Sequence, residues 1–517
     1  MKQSINIVWY KRDLRIFDHG PLFSSSMQKL PVLPIYIVEE EYWKQKFSSR
    51  RHWHFVHDCL FELQKDLNSL GQSLIVRVGH AIDIFDELKM QFQINRVFTH
   101  EESGNYWTYQ RDIAISDWCK NNRIHLDNFF CNGVVRRLKN RDDWSKIRNR
   151  RMSQRTYPTP NRMKVVLEID PGRLPEKNDP MFGDDVPGST QSGGRSEASN
   201  LLKTFLNSRG SKYLNNISSP GGAENFCSRL SPHLTWGTIS VREVIKECET
   251  RSQNLTPNEK TIFNRAFLAF KSRLSWRCHF IQKIEDKPEI EFKCMHNDFE
   301  DMRGGFRLDE RYFLLWSTGY TGYPLIDACM RSLINTGWLT FRMRAMLVSF
   351  ASYHLWLDWR KTGLFLAQTF TDYEPGIHYS QLQMQSGVTG INTVRIYNPV
   401  KQSKEHDSEG RFIRKWVPEL SSVSNIWIHE PWLMTDLQQV SANCVIGKDY
   451  PGPIVDHEKA VRSAREKIRL RQKREGFNLQ AKEIFQKLGS RTRVSRRKVT
   501  KSRDKNQLTM ELWIFYS

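Results

Sequence analysis

A chain of 517 residues with 78 Lys and Arg against 57 Asp and Glu carries a formal charge of +21, an excess that favours polyanions as partners. No apolar run reaches the ~18 residues of a membrane span, and the first ten residues lack a basic segment followed by a long apolar one, so neither an anchor nor a cleaved leader is expected. Nine cysteines, an odd number without a C-x-x-C pair, argue against a disulfide framework and for reduced thiols in a cytosol-like compartment.

Short apolar runs alternate with amphipathic stretches through residues 1–131. Runs at 5–10 (INIVWY), 32–38 (VLPIYIV), 74–78 (LIVRV), 96–100 (RVFTH) and 124–129 (IHLDNF) read as strands, with helical patterns at 51–69 and 108–120. Near-continuous β-branched strands separated by helices predict a parallel, doubly wound sheet. No G-x-G-x-x-G follows the first strand, which points away from a dinucleotide on this sheet. The charged turn Lys11-Arg12-Asp13-Leu14-Arg15 falls instead at the sheet's carboxyl end, where open α/β sheets bind ligands.

Residues 132–199 begin basic (Arg136, Arg137, Lys139, Arg141, then 148–151) and turn rich in Pro, Gly, Ser and Asp, which predicts a long connection without a core of its own. Residues 200–465 are mostly helical in pattern and dense in aromatics. A last helical set (Val461, Ala464, Ile468, Leu479, Phe485, Leu488) lies among basic residues, and 490–505 (SRTRVSRRKVTKSRDK) is a basic run with almost nothing to bury. The expected division is 1–131, 132–199, 200–465 and a basic extension 466–517.

Four blocks in the helical portion carry chemistry. Tyr213 and the stretch 227–240 (CSRLSPHLTWGTIS) supply hydroxyls and free backbone N–H groups near a helix start, an ordinary way to hold phosphate. Trp276-Arg277 follow in RLSWRCHF. The stretch 316–360 opens with turns and continues as a predicted long helical run, with Arg342 and Arg344 at its head and Asp358-Trp359-Arg360 at its foot. Two guanidinium groups facing the acidic loop Thr371-Asp372-Tyr373-Glu374 make a site for a large, flat, anionic ligand, because Arg makes fixed bidentate contacts.

Together these blocks resemble the photolyase/cryptochrome family over about residues 6–467. The resemblance implies an α/β N-terminal doubly wound parallel-sheet domain, housing a second, antenna chromophore of open identity, followed by an all-helical FAD-binding domain. Tyr213, Ser228, Leu230 and Ser231 match positions that hold the FAD pyrophosphate, with Cys227 replacing a usual Thr. Arg277 and Arg342 match further cofactor positions, Arg344 and Asp372 an ion pair beside the ring, and Glu374 a position near the adenine. His378 matches the position facing flavin N5, where an imidazole titrating near working pH would donate a proton. Trp276 would wall the pocket for a flipped base by stacking, and Trp359 would relay electrons. Only Cys444 follows Cys329, so the ligand set of an iron–sulfur cluster is missing and no metal is expected.

Several residues depart from the family pattern. Tyr106 stands where folate-binding members carry an acidic residue. Arg273 replaces a Glu that contacts a cyclobutane dimer, Cys278 replaces a Glu, and Phe341 and Ala345 replace Asn and Met or a pair of His residues. Leu382 and Phe306 occupy the other two relay positions, so the usual three-tryptophan chain is broken next to the flavin. The function expected first is light-driven repair of DNA pyrimidine photoproducts by a monomer in a prokaryotic cytosol. A blue-light photoreceptor is the alternative, and a nucleic-acid-binding flavoprotein without photochemistry a third reading.

Overall fold

The computed structural model describes residues 2–185, 187–304 and 310–491. The five expected strands form β1 (Ser4–Tyr10), β2 (Val32–Val38), β3 (Ile75–Val78), β4 (Gln93–His100) and β5 (His125–Phe129) of one sheet, in the order β3-β2-β1-β4-β5 with every pairing parallel. All seven residues of β2 are buried, as expected for a strand covered on both faces. The short helix Gly20–Ser26 makes the first crossover, and helices α1 (Arg50–Ser69), α2 (Ala81–Gln91) and α3 (Tyr106–Asn121) make the other three. The strand order reverses between β1 and β4, so the loops after these two strands flank the crevice that such sheets use for ligands.

The connection 132–199 is more structured than its composition suggests. It contains helix α4 (Trp144–Ser153) and the start of α5 (Arg195–Asn207). Phe182 stacks on Trp53 of α1 with centroids 4.0 Å apart and planes 8° from parallel. Pro171 accepts a backbone hydrogen bond from Val76 and so covers part of the edge strand β3, and Lys164 accepts one from Val32 at the start of β2. A Pro- and Gly-rich segment can thus be ordered without a core of its own by borrowing that of its neighbour.

The helical portion is organised by α7 (Pro257–Asp286), a 30-residue helix started by a Thr256–Glu259 capping box with Pro257 in its first turn. Among its companions are α6 (Val241–Gln253), α8 (Pro324–Thr336), α9 (Phe341–Ser349), α10 (Trp359–Thr369) and α11 (Pro375–Ser386). Gly376 lets α11 approach α7, since a Cβ there would lie 2.5 Å from the Cα of Ile281. The single long helix predicted through residues 342–360 does not form. α9 ends at Ser349, a π-turn covers Phe350–His354, and Trp356 takes a φ of 55°. The Asp358 carboxylate then accepts from the Arg360 N–H and starts α10, so a side-chain cap prevails over helical periodicity.

The expected boundary at 465/466 falls inside α12 (His457–Gln472). Ala464 and Ile468 of that helix share one core with Phe477, Ile484 and Leu488 of α13 (Phe477–Leu488). Leu479 and Phe485, expected on the buried face, are 66% and 49% exposed, and Phe477 and Ile484 take their place. Apart from Ser490 and Arg491, the basic run 490–505 lies outside the described residues, as does Phe306. Ile468→Ala should cost about 2–4 kcal/mol of stability by opening a cavity, whereas Leu479→Ala should stay within about 0.5 kcal/mol. Chemical denaturation of both variants checks this packing.

Candidate functional site

The geometry centres on Arg344 and Asp372. Thr340 caps α9 by accepting from the Met343 N–H, which places Arg344 one turn in. Its two terminal nitrogens donate to the two Asp372 oxygens, each at 2.8 Å, while Nε donates to the Leu339 carbonyl at 2.9 Å. The guanidinium lies 4.0 Å from the centroid of Phe370. A planar fork fixed on three sides in this way has little freedom. The acidic loop is held by the Thr371 N–H donating to the Gly337 carbonyl. Gly337 has a φ of 69°, and a Cβ there would sit 2.1 Å from Thr371 Oγ1. Burial alone would raise the Asp372 pKa, but Arg344, with Ser231 and Arg229, holds it below the ordinary carboxylate range.

Cations outnumber anions around this pair. Arg229, with a φ of 61°, lies 3.9 Å from the centroid of Trp338, whose Nε1 donates to Ser231 Oγ at 3.3 Å. Burial pushes Arg229 down to about 10. Arg273 is lowered for the same reason, although the Tyr213 hydroxyl hydrogen-bonds it, and its Nε is buried without a partner. Burial also raises the Cys227 thiol to about 12. Guanidinium groups that lose basicity on burial hold positive charge that the protein has not fully compensated. These observations fit the pyrophosphate of FAD, with Tyr213, Arg229, Ser231 and Arg273 in position to hold an anion. Leu230 is buried beside them. The Ser228 hydroxyl accepts from the Leu230 N–H at 3.5 Å.

Arg342 lies 6.0 Å from the Tyr397 ring centroid, on a different side of α9 from Arg344, since residues two apart on a helix do not share a face. Glu374 accepts from Arg277 Nη2 at 2.7 Å and lies 3.6 Å from Arg12 of the loop after β1. Arg277 also donates to the Leu234 carbonyl, and its Nη1 is buried without a partner.

His378 differs chemically from its expectation. Its Nε2 is 2.8 Å from the Gly363 carbonyl oxygen and so carries the ring proton, and burial lowers the imidazole to about 4. At neutral pH the ring is uncharged and its one N–H is engaged with the backbone, so it is not the ready proton donor that an unperturbed histidine would be.

Trp276 is half-buried, stacked against Phe280 at 5.6 Å and edge-on to His279 at 5.2 Å. His279 accepts from Arg141 Nη2 at 2.8 Å, and buried Lys283 is pushed down to about 7 by burial and by Arg141. Sequence reasoning missed this layer of Arg141, His279 and Lys283. Its signal was the spacing of residues 276, 279, 280 and 283, one face of α7. Trp359 is buried, donates to Cys294 Sγ at 3.4 Å and lies 6.4 Å from Tyr379, while Leu382 packs close by against Gly363.

The family profile described as DNA photolyase matches residues 6–138, and that described as FAD binding domain of DNA photolyase matches residues 270–470. The chain belongs to the photolyase/cryptochrome family. A deoxyribodipyrimidine photo-lyase of Alkalihalophilus pseudofirmus is 31% identical over 89% of this chain and 97% of its own. A cryptochrome DASH of Gloeobacter violaceus is 26% identical over 87% and 93%. The crystal structure of a class III photolyase from Agrobacterium tumefaciens superposes with a TM-score of 0.79 at 25% identity, covering 92% of this chain and 99% of that one. The second half is therefore an FAD-binding domain of this family.

Asp372→Asn removes the counter-charge of Arg344 and should lower flavin retention through gel filtration at least several-fold, with the fold intact by circular dichroism. Lys283→Met should stabilise the protein by about 4 kcal/mol at pH 7. The folded-state pKa lies below the unfolded value, so the lysine's penalty is full below pH 7 and fades as pH rises towards 10.5. Denaturation at pH 7 and pH 10 checks this: the gain should shrink below about 1 kcal/mol at the higher pH.

Proposed function

We propose that this flavoprotein is a light-dependent DNA repair lyase that splits pyrimidine dimers. The observation that carries the reading is a half-buried Trp276 on the same helix as the buried cationic cleft, in a chain of charge +21. Phosphate contacts by surface Lys and Arg supply salt-dependent DNA affinity. The damaged bases leave the stack, since chemistry on a base inside a duplex requires flipping it out, and one stacks on the Trp276 face. When bound, FAD supplies the light-driven electron that opens the dimer and is returned afterwards. Arg344 and Asp372 orient the ring, Tyr213, Ser231, Arg229 and Arg273 hold the phosphates, and Trp359 with Tyr379 offers an aromatic route for electrons past Leu382. The reading takes a monomer acting on DNA in a bacterial cytosol.

Cyclobutane dimers rank ahead of (6-4) lesions, because splitting the dimer needs no proton donor and the His378 N–H is engaged with Gly363. A photoreceptor without repair activity is the second reading, favoured by Arg273, whose partner is the Tyr213 hydroxyl in place of a Glu facing the lesion.

Reduced protein mixed with oligonucleotides bearing either lesion and exposed to blue light should restore unmodified thymines from cyclobutane dimers. His378→Ala should keep at least about a third of that rate. No repair of either lesion would favour the photoreceptor, and (6-4) repair lost in His378→Ala would make His378 the catalytic acid.

A further inference from the structure

Folate-binding relatives carry an acidic residue at the position of Tyr106, at the start of α3. In this chain the acid comes from the opposite side of the cleft. Glu291, 7% exposed, accepts from Asn105 Nδ2 through one carboxylate oxygen and from the Tyr106 N–H through the other, both at 2.7 Å. Asn105 Nδ2 also donates to the Tyr373 hydroxyl at 2.9 Å, so its amide is fully engaged. One residue earlier than Gly104, Ser103 Oγ donates to Glu285 at 2.8 Å. The Tyr106 ring meets Phe292 edge-on at 5.9 Å. Beside these contacts, the cleft between residues 103–106, Tyr109 and the turn at 284–288 holds about 10 Å³, room for roughly one water.

The neighbouring sheet crevice is equally filled. Arg111 pairs with Glu39 at 2.7 Å, Glu102 at 2.6 Å and Asp112 at 3.0 Å, and Lys11 pairs with Asp112 at 3.0 Å. Arg136 reaches Asp112 at 3.4 Å from the other side. Arg136 also reaches Glu285 at 3.5 Å, so three cations meet four carboxylates here and each of these cations is engaged within the protein.

We propose that Glu291 is a built-in occupant of this cleft: its carboxylate caps the first turn of α3, clamps the sheet to the helical half, and excludes a folate-type antenna from the place where relatives hold one. A carboxylate at an exposed helix N-terminus has favourable partners. Here those partners, the Tyr106 N–H and the Asn105 amide, are already taken. A pterin could enter only by displacing both bonds and parting Tyr106 from Phe292. The inference rests on family membership and not on repair, so it stands or falls separately from the lyase reading.

Full-length protein carrying its flavin is titrated with a methenyl-tetrahydrofolate, and bound pterin is read by its near-ultraviolet absorbance after gel filtration and by flavin fluorescence excitation. The native chain should retain less than one tenth of an equivalent and show no pterin band in the excitation spectrum. Retention near one equivalent would overturn the proposal. The double variant Tyr106→Glu, Glu291→Ser, checked for unchanged flavin content, should bind pterin at least tenfold more tightly than the native chain. If it keeps its flavin yet takes up no pterin, Glu291 is not the excluding group and the proposal is also overturned. If it loses its flavin, the single variant Glu291→Gln serves. It should lower the thermal midpoint without admitting pterin, since an amide keeps the bulk but weakens the clamp, and an unchanged midpoint would overturn the clamp.

Discussion

Buried guanidinium groups need anions, and this requirement organises the helical half. Asp372 compensates Arg344 through two hydrogen bonds, and Glu374 compensates Arg277 and, at longer range, Arg12. Arg229 and Arg273 have only hydroxyls, aromatic faces and distant carboxylates, and burial lowers both. Desolvating a charge without a partner is expensive, so a site with surplus cations is stable only if an anion completes it. A dinucleotide with a pyrophosphate meets that need, and much of the local architecture serves to hold the arginines in place for it. The glycine at 337, the Thr340 cap and the Ser231 hydroxyl each fix one element that carries a charged group.

The same acid loop joins the two halves. Arg12 follows β1 of the sheet, donates to the Tyr373 and Thr235 carbonyls and lies 5.2 Å from the Trp236 ring. A charge at the carboxyl end of the first strand is therefore used as a strut between halves. This explains why a motif that reads as a ligand loop from sequence is largely consumed by internal contacts. Asp13 behaves similarly, accepting from His19, His100 and the Lys11 N–H.

Strands were legible because β-branched runs of the right length are local signals, and all five lie within two or three residues of where the pattern puts them. Arg344 with Asp372 was legible because the motif is long and irregular. What escaped depends on contacts distant in sequence. The carboxylate of Glu291 lies 186 residues from its partner Asn105, and nothing in either local stretch announces the pairing. Phe182 looked like part of a coreless segment because its core belongs to α1. The break after Ser349 escaped because residues 345–355 are buried without interruption, and periodicity does not register where a helix loosens. Trp356 with positive φ is a feature only the folded chain reveals.

His378 shows how far a motif can carry chemistry. The ring lies beside Tyr373 and Tyr379, whose centroids are 5.0 and 5.2 Å away. Its protonation, however, is set by what the ring touches. A carbonyl on Nε2 fixes the tautomer, and desolvation disfavours the imidazolium. The tautomer leaves Nδ1 as an acceptor, so His378 can receive a hydrogen bond from a neighbour but cannot readily supply a proton. That polarity suits a reaction whose difficult step is movement of an electron. It also shifts attention to α7, where Lys283, brought to about 7, lies in the layer behind Trp276 with His279 and Arg141. A charge that appears or disappears there changes the potential at the Trp276 ring. The electrostatics of the pocket are therefore set as much by this second layer, which no family motif names, as by the residues that line it.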